Sequence, residues 1–431
     1  MIANHALDQA YQRIGTTKAT RLYRVLGLLP STDTTIDTAM AGAAARLDPA
    51  TTLDLLARLT DRQLLTAPDG PDGPYRFATT TVRRHASHVA TSIDNQDTRG
   101  RLIKRALDWL LAEAVSACRL TDPHRRPIEP PITCPPPHRL GLTSADQALT
   151  FLTNRGRHLT AALPLATVHH RAAVPHLVHA FWPHYLRERN YTTWVHDHTL
   201  ALTILDQPTT AAQRLLRREL LSARATALRG LRRFTVALEN GHEALALARA
   251  DDDQPGIAQH QHDLGVTLHP AGAPDLARTY LLEALRGRTA LGRRRDAALT
   301  LLTLAVTDLD REAPPADVVE KLRAAERDLT AEGDLYNATR ARAWRGRVLV
   351  QAGRYDEATP LFTSALTDFA AQGALWQARI LTWSAEAFEE RGQAGRAAVL
   401  YRQALDLYRD RSPHDHLRVS AALARLSGVH T

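Results

Sequence analysis

The sequence predicts an almost wholly helical chain, with a small head of three helices and a hairpin followed by a long array of stacked helix pairs. Three observations carry that prediction. Arg, Ala and Leu dominate the 431 residues and favour helix, while runs of Val and Ile are short. A turn rich in Gly, Pro and Asp lies between two short strand-like runs in QLLTAPDGPDGPYRFAT. A pattern of small and aromatic residues also recurs through the second half of the chain.

In the head, helical patterns cover Leu7 to Leu29, Thr35 to Leu47 and Ala50 to Thr60. The segment YRVLGLLPSTD, Tyr23 to Asp33, reads as an apolar helix halted by Gly27 and Pro30, with Thr32 or Asp33 capping the next helix. Three helices followed by a hairpin is the order of a winged helix, the hairpin being the wing. Helical character resumes from Thr81 to Leu111. The stretch Thr121 to Thr143 contains HRRPIEPPITCPPPHRL, whose prolines remove donors and push their predecessors toward extended geometry. It reads as a tethered linker or long loop. The expected division is a winged-helix-like domain over 1–90, a connecting helix and proline-rich loop over 91–144, and a helical repeat domain over 145–431.

The repeat is clearest near the end. GRYDEATPLFTSAL, Gly353 to Leu366, is answered by GQAGRAAVLYRQAL, Gly392 to Leu405. Gly353, Ala358, Phe362 and Ala365 match Gly392, Ala397, Tyr401 and Ala404, a third copy holds Gly272, Ala277, Leu281 and Ala284, and a worn fourth holds Leu322 and Ala325. The alanines Ala284, Ala325, Ala365 and Ala404 are spaced by 41, 40 and 39 residues. Each repeat is then an antiparallel helix pair that cannot bury its apolar face alone, and stacking closes the core. Gly265, Gly346 and Ala385 fall on the first helix of their pairs, where that helix meets its partner. These residues are expected to be core, without chemistry.

This pattern resembles tetratricopeptide-type repeats, here as an α-solenoid (superhelix) behind a winged-helix-like module, in an all-α fold. The resemblance extends to the front of the chain. LDQAYQRIGTTKATRLYRVLGLLPSTD is similar to the segment after the nucleotide-binding domain in actinobacterial signal-transduction regulators of the apoptotic-ATPase (NB-ARC) type, where a helix enters a winged helix through an LGL-P motif. ALDWLLAEAVSACRLTDPHRRPI resembles their next helix and loop, and DQALTFLTNRGRHLTAAL, Asp146 to Leu163, the helix pair that introduces their repeats. That family carries a His-Asp pair beyond the wing that helps sense nucleotide. The corresponding places here are expected at Thr79 and Thr80. No GxxxxGK[ST] loop occurs in the sequence, so nucleotide hydrolysis is not expected of it.

Composition narrows the partners. A formal charge of +8 permits nucleic-acid contact without arguing for it, and 5% aromatic residues argue against a stacking platform for single strands. The expected third helix of the head carries Arg58 and Arg62 beside Asp54 and Asp61, and the wing has two acids and no base. DNA binding, where it occurs, would use Arg76, Arg83 and Arg84. The strongest basic concentrations are Arg214, Arg217, Arg218, Arg224, Arg229, Arg232 and Arg233, then Arg286, Arg288, Arg293, Arg294 and Arg295. One reading makes them a solvated face. The other makes Arg214, Arg218, Arg229, Arg232, Arg293, Arg294 and Arg295 contacts to an anionic partner.

Cys118, His124, Cys134 and His138 have zinc-ligand chemistry but lack the short Cys-x2-Cys spacing, so no metal is expected there. His176 and His179 sit on an apolar helix and read as satisfied histidines. There is no GxSxG elbow, HExxH pair or evident Cys/His dyad. The expectation is a cytoplasmic, non-enzymatic regulator or adaptor without a cofactor or membrane span. Its repeat groove would bind a protein, peptide or small effector, in the setting of specialised metabolism. A DNA-binding transcriptional regulator and an enzyme with its site inside the solenoid stand as alternatives.

Overall fold

The computed structural model describes residues 2–31, 33–67, 74–370, 373–409 and 411–426. Contacts divide the chain into two compact units, 1–233 and 234–431. The first unit opens with α1 (Ile2–Gln12) and α2 (Thr17–Leu28), where a single helix was expected. Gly15, at φ +82°, turns the chain between them, and the Thr16 side chain accepts the Ala19 amide to start α2. Gly27 does not halt α2. It lies inside the helix, where the missing Cβ lets the backbone of Ala86 and Ser87 approach.

The next helix, α3 (Thr38–Ala45), is capped by Asp37, not by Asp33; Thr32 lies outside the described residues. Asp33 instead accepts the Thr35 amide at 2.8 Å and forms a tight turn ahead of the helix. That turn places Thr35 opposite Arg76 in a β-bridge, so the chain here is extended and cannot yet be helical. Asp48 caps α4 (Pro49–Asp61), and the hairpin pairs β1 (Leu65–Thr66) antiparallel with β2 (Arg76–Phe77). The expected wing tip, 68–73, lies outside the described residues.

Thr79 caps α5 (Thr80–Ile93) and Asn95 caps α6 (Gln96–Thr121), so the continuous pattern after the hairpin is two helices. The Tyr23 hydroxyl joins these parts. It donates to the Val82 carbonyl at 3.1 Å and lies 2.9 Å from His85 Nδ1, while His85 Nε2 lies 3.0 Å from Asp8 on α1.

Residues 122–143 form the expected irregular stretch, and it is fastened to α6. Asp108, fully buried, accepts the amides of Thr133 and Cys134 at 3.2 and 2.8 Å, and its other oxygen lies 3.0 Å from His170 Nε2. Glu113, also buried, pairs with Arg139. Next comes α7 (Ala145–His169), which contains all of Asp146 to Leu163, so the expected helix pair is one helix. Arg155 on α7 donates to Asp37 at 2.7 Å, joining α7 to the cap of α3.

The unit ends with α8 (Ala173–Ala180), α9 (Trp182–Glu188), α10 (Tyr191–Ile204) and α11 (Ala211–Gly230). His198 is buried with Nδ1 2.9 Å from the Trp194 carbonyl, and burial depresses its pKa to about 3; burial depresses His176 to about 4. Unfolded imidazoles accept a proton near pH 6.5. Between that pH and about 3 to 4 the unfolded chain therefore binds more protons than the folded one, and stability falls as pH falls. His198 by itself is expected to remove about 3 kcal/mol between pH 6.5 and 4. Urea denaturation across that window should show a shallower loss for His198→Gln, and equal slopes would refute the assignment.

The second unit comprises α12 (Phe234–Ala250), α13 (Gln254–Leu268), α14 (Pro274–Ala290), α15 (Arg294–Asp310), α16 (Pro315–Ala331), α17 (Leu335–Gln351), α18 (Tyr355–Asp368), α19 (Ala374–Glu390), α20 (Ala394–Tyr408) and α21 (Pro413–Leu426). Ala284, Ala325, Ala365 and Ala404 all have 0% exposure, so the spacing read from the sequence is the spacing of the core. Phe362 and Tyr401 fill the space between neighbouring helices. Gly353 and Gly392, at φ +72° and +71°, make the tight turns inside their pairs, in a region that other residues enter at a cost.

Candidate functional site

Small residues bring the two helices of a pair together. A Cβ on Gly265 would lie 2.5 Å from Leu281, and one on Gly346 would lie 2.6 Å from the Phe362 ring. The first helices of successive pairs also approach each other. Helix α17 touches both α15 and α19, whereas the second helices α14, α16 and α18 do not come as close to one another. The stack of α15, α17 and α19 therefore lies at the smaller radius, and its free face is the inner one.

A ladder of side chains crosses the seam between α17 and α19. The Arg340 guanidinium sits 5.2 Å from the centre of the Trp376 ring, and Trp344 and Trp383 lie 4.7 Å apart. Arg347 pairs with Glu386 at 2.6 Å, and Glu386 also meets Arg418 of α21 at 3.2 Å. Tyr336 adds an edge contact to Phe369 and is 45% exposed. The arginines expected to contact a partner include none of these ladder residues. The available signal was a stripe at helical spacing, Arg340, Trp344 and Arg347 on one helix and Trp376, Arg379, Trp383 and Glu386 on the other.

Below the ladder, ion pairs lock the repeats to one another. Asp308 on α15 is buried and meets Arg278 of α14 at 2.9 Å and Lys321 of α16. Glu326 on α16 takes both Arg342 and Arg345 of α17.

The arginines expected to contact an anionic partner fall into two groups, one in each unit. In the first unit Arg218 is only 3% exposed, Arg214 and Arg229 are half-buried, and Arg232 is exposed in the turn after α11. Nearby, Arg217 donates to the Leu205 carbonyl at 2.9 Å and so closes the end of α10. In the second unit Arg293 meets Asp296, Arg294 meets Glu332 at 3.8 Å, and Arg295 meets Asp334 at 2.7 Å. Arg288 is buried and donates to Gln259, Thr300 and the Asp296 carbonyl.

Of the arginines considered for DNA, Arg76 and Arg84 are exposed, while Arg83 is half-buried and donates to the Ser31 carbonyl. Arg58 is paired with Asp54 at 2.9 Å. Cys118 is buried, and burial pushes its thiol up to about 11, which keeps it protonated and unreactive. His124 and His138 are exposed, and the Cys134 amide is used by Asp108. Among the described residues no group of three or more His, Cys, Asp or Glu could hold a metal ion. Nor is any described helix long and apolar enough to cross a membrane.

This architecture defines an all-α protein of the tetratricopeptide type, a short β-hairpin module followed by a repeat-packed helical solenoid. Among solved structures it is similar to a Rap protein complexed with competence and sporulation factor, with 10% identity over 81% of this chain and 91% of the other, and a TM-score of 0.50. It is also similar to the apo form of RapI, with 14% identity, 61% and 97% coverage and a TM-score of 0.47. A third is the signal-transduction ATPase with numerous domains (STAND) protein with a tetratricopeptide repeat sensor from Pyrococcus horikoshii, with 12% identity and a TM-score of 0.48. That match takes in 99% of this chain and 62% of the other. At such identities the likeness is one of fold. No family model matches the chain, and no curated protein matches it.

Proposed function

We propose that the chain is a non-enzymatic regulatory or adaptor protein that captures a peptide or protein partner on the inner face of its repeats. The observation that carries this reading is the seam between α17 and α19. It gathers the exposed Tyr336, the half-buried Trp344 and charges of both signs over the buried Trp376 and Trp383, where successive first helices converge. Aromatic and arginine anchors are the residue types that dominate binding energy at protein interfaces. The Rap protein of similar fold is itself complexed with competence and sporulation factor, which agrees with this reading.

The test places a photo-crosslinking phenylalanine analogue at Tyr336 on α17, or at the exposed Thr363 on α18, in the full chain within extract of its native cell. Capture of a defined partner is expected from position 336 and not from 363. Capture from 363 alone, or from neither, would refute the reading.

We also propose the narrower kinship with actinobacterial regulators of the apoptotic-ATPase type and a role in the cytoplasm, in specialised metabolism. The LGL-P segment, Leu26 to Pro30, and the order of winged-helix-like head and repeats support it. The functional division into 1–90, 91–144 and 145–431 belongs to the same proposal.

A further inference from the structure

Helix α17 carries four arginines, Arg340, Arg342, Arg345 and Arg347. Three are matched to carboxylates: Arg342 to Glu326 and Asp368, Arg345 to Glu326, and Arg347 to Glu386. Arg340 is not. Its Nη1 donates to Asn337 at 2.7 Å, and its Nε is buried without a partner. The nearby Asp334 carboxylate is already occupied by Arg295 at 2.7 Å and by the Asn337 amide that it caps.

Arg379 lies in the same place. Its guanidinium is 4.8 Å from the centre of the Trp376 ring that Arg340 also faces. Among the described residues Arg379 has no ion pair either. Burial is the largest influence on the Arg340 cation and lowers its pKa, and the charge of Arg379 acts in the same direction. Two like charges on one ring therefore oppose each other, with an unused donor between the helices.

We propose that Arg340 and Arg379, gathered over Trp376, form the binding point for a carboxylate side chain of an acidic peptide lying along the α17–α19 seam. A carboxylate accepts two parallel bonds from a guanidinium fork and neutralises the repulsion. The half-buried Trp344 and the exposed Tyr336 supply apolar wall for the rest of the peptide, which a free inorganic anion would leave unused. The inference rests on the peptide-binding reading above and names the chemistry of the partner.

The experiment selects a random heptapeptide library against the immobilised full chain, and in parallel against Arg340→Gln/Arg379→Gln. Retained circular dichroism and thermal midpoint qualify the variant; should it not fold, Arg379→Gln by itself takes its place. Arg286→Gln, an exposed arginine of the same unit, is the control. Asp or Glu is expected to be enriched with the wild type and the control, but not with the double variant. A selected peptide remade with its acid as the amide should bind at least tenfold more weakly to the wild type, and equally to the double variant. Enrichment of peptides without acids would overturn the carboxylate site and leave peptide binding standing. Equal selection by wild type and double variant would do the same. Failure to enrich any peptide would overturn both.

Discussion

Replacing Gly27 by alanine is expected to destabilise the first unit by about 3 kcal/mol or more, at the upper end of the costs of overpacking. The added methyl would lie 2.5 Å from the Ala86 carbonyl carbon and 2.8 Å from its oxygen, and closer still to the Ser87 nitrogen. All three atoms are backbone of α5, so no rotamer change relieves the clash; α2 and α5 must separate along their contact. That separation would also pull Tyr23 from Val82 and His85. Gly265→Ala is a suitable comparison, because there the nearest atoms belong to the Leu281 side chain, which can rotate. Chemical denaturation should show the larger loss at Gly27. Equal losses, or none at Gly27, would mean that the helices have room to slide.

Asp108→Ala is expected to cost about 3–5 kcal/mol, the range for removing one partner from a buried charged network. The change leaves the amides of Thr133 and Cys134 without their acceptor and His170 without its carboxylate. Its effect should be local as well as global. The irregular stretch 122–143 is held largely by side chains of α6, so limited proteolysis should cut it faster in the variant before the unit as a whole unfolds. Asp108→Asn keeps an acceptor for the two amides and should cost less. Unchanged protease resistance in Asp108→Ala would show that packing, not this carboxylate, holds the stretch.

Legibility followed the range of the interaction. Helix starts at Asp48 and Thr79 depend on a side chain bonding an amide three residues on, a relation that lies within the local sequence, and they fall within two residues of the expected starts at Ala50 and Thr81. The starts at Thr16 and Asn95 use the same bond but fall inside patterns that read as continuous helix. Asp33 was misread because an acid before a helix can cap it or make a turn, and the β-bridge from Thr35 to Arg76 decides for the turn. That bridge joins segments 41 residues apart. In the candidate site, Trp344 and Trp383 were visible only as members of separate helical stripes. Their meeting, and the failure of Arg340 to meet any acid, are facts of how α17 lies against α19.

The sequence by itself determined the helical class, the hairpin, the irregularity of the proline-rich stretch and the repeat, because these rest on backbone preferences and on small residues recurring at a fixed interval. The alanines at 0% exposure show how far that reading reaches. Tertiary structure decided what Gly27, Asp108 and Arg340 do. A glycine inside a helix can end it or admit a neighbour, an acid can be solvated or buried as an anchor, and an arginine can be paired or left over. Which of these holds depends on the atoms that long-range packing brings within a few ångströms.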